Sequence, residues 1–113
     1  MTKDEQRNIN ELAVSAYINA MYDLDDKYGN WGIYAPNTRL RTCQAGVYET
    51  THYYVLRSFE KYVAVIDKAT NTLFDVHQLE YGYTAVSAQH ISKFHTDYGS
   101  VHGECCIFRY VHV

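Results

Sequence analysis

The stretch KYVAVIDKATNTLFDV (residues 61–76) decides the fold class of this chain. Two segments rich in β-branched and aromatic residues, Lys61–Asp67 and residues 72–76, flank the polar segment 68–71. Apolar runs of this length on either side of a short polar turn are typical of an antiparallel β-hairpin. The sequence therefore predicts a hairpin here, with further strands before it.

The segment before the hairpin also has a period of about two. Residues 40–43 and 47–58 are predicted to be strands. Because side chains alternate along a strand, Tyr53 and Val55 are expected to share one face with Val47, while Tyr54 lies on the opposite face. Most of the predicted sheet therefore comes from the middle of the chain.

Two helices frame these strands. Residues 4–27 carry apolar residues at helical spacing, which predicts an amphipathic helix that ends at Gly29. A second helix is predicted over residues 88–98, with Ser87 as its N-cap and Gly99 as its stop, followed by a strand over residues 105–113. The apolar stripe of the first helix comprises Ile9, Leu12, Ala13, Ala16, Ala20 and Leu24.

The order of these elements predicts an α+β fold. It consists of an N-terminal helix, an antiparallel sheet of four to five strands, a second helix and a C-terminal strand. The chain has 113 residues and is 47% hydrophobic, which suits one core. With one proline, six glycines and no linker-like segment, residues 1–113 are assigned to a single domain.

Charge and composition favour a cytoplasmic protein that binds another macromolecule. The longest apolar run, residues 62–66, is far shorter than the ~18 residues needed to cross a bilayer. The N-terminus is polar, unlike a secretory signal, and the odd count of three cysteines fits a reducing compartment. The 13 acidic residues outnumber the 10 Lys and Arg residues, which disfavours non-specific binding to nucleic acid.

The chain carries no recognisable catalytic motif. Glycine-rich nucleotide loops, a nucleophile elbow and a zinc-protease motif are all missing from the sequence. We therefore expect a protein that is not an enzyme.

A cluster of histidines and cysteines near the C-terminus predicts a structural zinc site. His102 and Cys105 have the short spacing of one zinc-ligand pair, and His95 lies at the end of the predicted second helix. Cys106 or Cys43 would supply the fourth ligand. The alternative is that the cysteines are small core residues and the histidines serve only in packing.

Acidic and aromatic residues form the predicted partner-binding set. The 12 tyrosines combine large apolar rings with polar tips, a composition enriched at protein interfaces. The alternative is that most of the rings pack on the sheet and that the single tryptophan covers the core. The predicted contact residues are Asp23, Asp25, Asp26, Trp31, Tyr53 and Tyr54.

Two stretches, YGNWGIYAPNT (residues 28–38) and YGYTAVSAQHISKF (residues 81–94), together with the hairpin, resemble a family of small proteins carried by phages and conjugative elements of gut Gram-positive bacteria. The resemblance covers roughly residues 8–98 and supplies no catalytic residues. It implies an accessory protein of a mobile element. Small acidic proteins in that setting include anti-CRISPR inhibitors, so the expected partner is a host-defence protein, a CRISPR effector nuclease whose DNA loading is blocked in the host cytoplasm.

A second function remains open from the residues. Arg39 and Arg41 lie close together in the sequence, near the tyrosine pair Tyr53 and Tyr54. Arginines bind phosphates and aromatic rings stack on bases. The alternative is therefore a small nucleic-acid-binding regulatory protein of a mobile element.

Overall fold

The described residues form one six-stranded sheet with a helix on each face. A computed structural model describes residues 2–32, 35–40, 45–80, 85–99 and 103–113, apart from the side chains of Trp31, Glu80 and Ala85. No helix within these ranges is long and apolar enough to span a membrane. The elements are α1 (Lys3–Tyr28), a 3-10 turn (Asn30–Gly32), β1 (Thr38–Arg39), β2 (Ala45–Glu49), β3 (Tyr53–Ser58), β4 (Lys61–Asp67), β5 (Thr72–Asp75), α2 (His77–Glu80), α3 (Ala85–Phe94), a π-helical turn (His95–Gly99) and β6 (Cys106–Arg109).

The strands follow one another in sequence order across the sheet. β1 to β5 form an antiparallel meander, and β6 pairs with β5 in parallel after a crossover through α2 and α3. The predicted α+β class is confirmed. The described strands number six rather than four to five, and the last pairing makes the sheet mixed rather than antiparallel.

The additional strand arises because residues 47–58 contain a turn. The amide of Thr50 donates to the carbonyl of Tyr53, and the Thr50 hydroxyl accepts from the Tyr53 amide at 2.9 Å. This buried side-chain bond closes a short turn that reverses the chain between β2 and β3. Of the predicted strand at residues 40–43, only Leu40 is described, and the first strand lies just before it at Thr38–Arg39.

Each face of the sheet has its own apolar cluster. α1 covers the face that carries Tyr53 and Val55, while α3 covers the face that carries Val47 and Leu56. Tyr54 also lies on the α3 face, as expected, but the prediction that Val47 shares a face with Tyr53 was wrong. The reason is the turn at residues 50–52: in the register that it sets, Val47 lies opposite Leu56, and Tyr48 instead lies opposite Val55.

The predicted apolar stripe of α1 is mostly confirmed. Ala13, Ala16, Ala20 and Leu24 are buried against the sheet, at spacings that keep them on one side of a helix. Leu12, by contrast, is 55% exposed, because one residue along a helix turns the side chain by about 100°. The three alanines keep the buried side of the helix narrow, so that its backbone can approach the strands closely.

Two glycines define the end of α1. Gly29 (φ 76°) and Gly32 (φ 74°) both have left-handed backbones, which glycine adopts without steric cost. A Cβ at Gly29 would meet no neighbour within 4 Å. A Cβ at Gly32 would overlap the Leu24 side chain, with Cδ2 at 2.5 Å, so this glycine also makes room for the helix to pack.

The C-terminal third differs from its prediction in several details. α3 begins at Ala85 rather than at residue 88, and Ser87 is fully buried within it instead of capping it. The final strand is shorter than residues 105–113, because beyond Arg109 the chain turns to α1, where Asn10 Nδ2 donates to the Val111 carbonyl at 2.7 Å.

Candidate functional site

An acidic groove lies beside the C-terminal half of α1. Its cavity has a volume of about 690 Å³ and joins the helix to the turns before β3 and after β4. The groove brings together four of the residues predicted to contact a partner, and adds Asp67 and Tyr22. The lining residues are Asn19, Tyr22, Asp23, Asp25, Asp26, His52, Tyr53, Asp67 and Ala69.

Asp23 has a structural role in this groove. Its carboxylate accepts from the backbone amide of His52 at 2.9 Å and lies 3.1 Å from the His52 ring nitrogen. Burial alone would raise the pKa of Asp23, but hydrogen bonds from Thr50 and His52 outweigh burial, and the pKa is lowered. Asp23 is therefore an anion that holds α1 to the β2–β3 turn.

The groove has a buried and an exposed aromatic residue. Tyr53 is only 9% exposed, and burial, with the nearby carboxylate of Asp67, raises the pKa of its hydroxyl. Tyr22 is 61% exposed and stands one helical turn after Ile18, which is 48% exposed. The tyrosine best placed to meet a partner is therefore Tyr22. The sequence could have indicated it, because Tyr22 and Ile18 are four residues apart on the side of α1 opposite the buried stripe.

The other two predicted contact residues are Tyr54 and Trp31. Tyr54 lies on the α3 face, where its ring contacts that of Tyr98 with centroids 5.1 Å apart and lies beneath Lys68 at 4.8 Å. Trp31 belongs to the 3-10 turn after α1, and its side chain falls outside the described residues.

Part of the predicted zinc site comes together. His95 Nε2 lies 3.1 Å from the Cys105 carbonyl oxygen, and Cys105 is half-buried with a thiol pKa that burial raises. Cys106 is exposed on β6, while His102 and Cys43 lie outside the described residues. Within the described ranges, no group of three or more potential ligands is assembled, so the zinc site remains a prediction.

Two buried polar pairs hold helices to the sheet. Asp75 is 2% exposed and its carboxylate meets His77 Nδ1 at 2.5 Å and Arg109 Nε at 3.0 Å. Ser58 Oγ lies 2.7 Å from His90 Nδ1, and both residues are enclosed by protein. The first pair ties β5 to α2 and β6, and the second ties β3 to α3. Their enclosure indicates structural roles.

A second, basic pocket opens on the α1 face of the sheet beside β1, with a volume of about 400 Å³. Gly46 of β2 is the register partner of both Arg39 on β1 and Arg57 on β3. Directly opposed residues project to the same side of a sheet, so the two arginines flank a position that has no side chain. The pocket is lined by Asn37, Arg39, Ala45, Gly46, Tyr48, Arg57 and Phe59.

Hydrogen-bond donors predominate in the basic pocket. The Tyr48 hydroxyl accepts from Arg57 Nη1 at 3.4 Å and from Asn37 Nδ2 at 3.3 Å. The bond to Tyr48 raises the pKa of Arg57 against the effect of burial, and the charge of nearby Glu60 adds to this. Among the described residues, Arg57 Nε is buried without a hydrogen-bond partner, and Arg39 has no ion-pair partner.

Phe59 stands at the rim of the same pocket in a strained conformation. It follows Ser58 in the two-residue turn that joins β3 to β4, and its φ is 57°. This left-handed region is unusual for a bulky residue, and glycine or asparagine normally fills it. The ring is nevertheless 49% exposed.

Comparisons with known proteins give no relative from which a role could be transferred. No protein-family model, no curated protein and no solved structure matches the chain. The acidic groove and the basic pocket are therefore assigned from the geometry of the described residues.

Proposed function

We propose that this protein is a non-catalytic inhibitor that binds a basic surface of another protein through the outward side of α1 and the acidic groove. The partner class is a host-defence protein, and the leading candidate is a CRISPR effector nuclease whose DNA loading is blocked. The observation that supports this proposal best is the exposed pair Ile18 and Tyr22 beside the acidic groove.

The exposed pair provides the apolar centre of the proposed interface. Ile18 and Tyr22 lie one turn apart, so both can enter a single groove of a partner. Tyrosine is enriched among residues that contribute most to binding, and it loses little conformational entropy on contact. A neighbouring shallow cavity along α1, lined by Val14 and Ile18 among others, extends this surface toward the helix N-terminus.

The groove provides the charge. Asp25, Asp26 and Asp67 line it together with Asp23, whose lowered pKa keeps it ionised at neutral pH. Nucleases that hold a guide RNA and a DNA strand have basic channels for both. An acidic surface is complementary to such a channel, speeds the encounter with it and competes with DNA for it.

The test is a DNA-loading assay with purified effector nucleases, combined with a plasmid-interference assay in cells that express the chain. Tyr22→Ala and Asp26→Lys should each relieve inhibition by at least tenfold in the concentration required, about 1.4 kcal/mol or more. Asp97→Lys is the matched control, because it reverses an exposed acid that pairs with Lys93 on the other face of the sheet.

The proposal fails if wild-type protein leaves DNA loading and interference unchanged across several CRISPR types. It also fails if Asp97→Lys relieves inhibition as strongly as Asp26→Lys, because net charge rather than the groove would then be responsible. Circular dichroism of each variant separates a lost surface from a lost fold.

The second candidate function, a nucleic-acid-binding regulator, is favoured by one observation. Arg39 and Arg57 converge on a single pocket. Tyr53 and Tyr54, which this function would also use, project to opposite faces of the sheet, and Arg41 lies outside the described residues. Salt-dependent binding to DNA or RNA without any nuclease present would favour this function over inhibition.

A further inference from the structure

We infer that the basic pocket between β1, β2 and β3 is a binding site for a nucleoside phosphate, with the phosphate between Arg39 and Arg57 and the base against Phe59. This site is separate from the proposed interface. The acidic groove is lined by Tyr53 at the start of β3, whereas Arg57 and Phe59 lie at its other end, about 13 Å away along an extended strand.

The register of β1, β2 and β3 places two arginines on either side of one position where a phosphate could bind. Arg39 and Arg57 are two strands apart, so their Cα atoms are separated by roughly 10 Å, with the bare backbone of Gly46 between them. Two long side chains at that separation can both reach one anion, and a guanidinium can donate two parallel bonds to phosphate. The Asn37 side chain covers Gly46, because a Cβ there would come within 2.8 Å of Asn37 Oδ1, so the anion would lie beside Asn37 between the two guanidinium groups.

The pocket has positive charge and donors that the protein itself does not satisfy. Neither arginine takes part in an ion pair among the described residues, and Arg57 Nε is buried without a partner there. The Tyr48 hydroxyl already accepts two bonds, so its own proton is free to be donated to a ligand oxygen. A buried donor without a partner is costly, and an oxyanion bound at the Arg57 guanidinium would offset part of that cost.

Phe59 indicates that the ligand has more than a phosphate. A phenylalanine with φ 57° carries backbone strain that glycine would avoid; its ring contacts the His90 ring, with centroids 5.8 Å apart, and the residue remains 49% exposed beside the pocket. A base has a flat face that stacks on such a ring, and stacking of this kind is worth about tenfold or more in affinity. The volume of about 400 Å³ lies within the range of small-ligand sites.

The experiment is calorimetric titration of the full chain with three probes: a mixture of 5′-nucleoside monophosphates, inorganic phosphate, and a short single-stranded oligonucleotide. Binding of the monophosphates is expected, and the oligonucleotide shows whether the same site accepts a nucleotide within a strand. If none of the three probes binds, the inference is wrong.

Variants locate the binding. Arg39→Gln removes an exposed side chain that makes no bond to the described residues, so the fold should persist while affinity falls about tenfold or more. Arg7→Gln is the matched control, since Arg7 is 61% exposed near the start of α1. Equal losses in both variants would mean that the titration measures net charge only, and would overturn the inference.

Two further variants separate the phosphate from the base. Gly46→Ala places a Cβ at 2.8 Å from Asn37 Oδ1, so the Asn37 side chain must shift within the pocket lining, and the affinity for all three probes should fall. Phe59→Gly should weaken the nucleotides about tenfold and leave inorganic phosphate unchanged. Unchanged nucleotide affinity in Phe59→Gly would show that the base does not lie against Phe59. Unchanged affinity in Gly46→Ala would show that the phosphate does not lie between the two arginines. Nucleotide binding should survive in Tyr22→Ala, so this inference and the proposed function can fail independently.

Discussion

Asp75 offers the most direct test of how the crossover is held together. Its carboxylate is 2% exposed, accepts from the His77 amide at 3.2 Å and from Arg109 Nε at 3.0 Å, and lies 2.5 Å from His77 Nδ1. In Asp75→Ala the two His77 groups lose a charged partner while still buried, which costs about 1.5–3 kcal/mol each. Arg109 is 55% exposed, so its freed guanidinium can bond to water, and the loss of its bond to Asp75 contributes at most about 1 kcal/mol.

We therefore expect Asp75→Ala to lower the free energy of unfolding by about 3–6 kcal/mol. Urea unfolding measures this directly: with a slope of about 2 kcal/mol per molar, the midpoint should fall by roughly 2 M. Arg109→Gln is the comparison variant; it removes the cation beside the buried Asp75 carboxylate but keeps a side-chain amide that can donate to it, so it should cost about 1–2 kcal/mol, less than Asp75→Ala. A loss below about 1 kcal/mol in Asp75→Ala, or equal losses in both variants, would refute this account of the network.

The remaining predictions concern pH, the end of α1 and metal. Because the native pKa of Asp23 is held below its ordinary value of 3.8, its contribution to stability is present above that pH and is lost as the pH falls further. The stability difference between wild type and Asp23→Asn, measured by urea unfolding, should thus be largest near neutrality and shrink below about pH 4. A difference that stays constant with pH would contradict the lowered pKa of Asp23. Gly29→Ala should cost about 1–3 kcal/mol, because Gly29 combines φ 76° with ψ 166°, a backbone region that is nearly restricted to glycine. Gly32→Ala should cost more than this, because backbone strain is joined by overlap with Leu24; equal shifts in thermal unfolding would show that the overlap is relieved. If the predicted zinc site exists, protein purified without chelator should contain about one zinc per chain, and its melting temperature should fall after chelation. Purified protein without zinc, or an unchanged melting temperature after chelation, would refute the site.

The local elements of this fold could be predicted from the sequence. The hairpin around residues 68–71 and the buried side of α1 follow from periods of two and 3.6, which depend only on neighbouring residues. The β2–β3 turn was missed, because Thr50 has high β-propensity and closes the turn through its hydroxyl, an interaction that composition does not reveal. The parallel partner of β5 was missed because it is set by the crossover.

The candidate sites, like the fold, could be predicted from the sequence only in part. Three of the four aspartates in the groove are close together in the sequence, so their clustering could be expected, although the engagement of Asp23 with His52 could not. The basic pocket depends on the register of three strands, and Gly46 has meaning only once it is known to lie between two arginines. Sequence spacing alone cannot supply that register.

The parallel pairing of β6 also has a consequence for the order in which the chain folds. β2 to β5 are joined by short turns, so each of these pairings closes a small loop and can form early. β6 can join only after the crossover through α2 and α3 has been brought back, which is a slower, non-local step. It is also an edge strand with mostly exposed side chains. We expect β6 to be the last strand to assemble and the first to open, so hydrogen exchange should reach its amides well before those of β4.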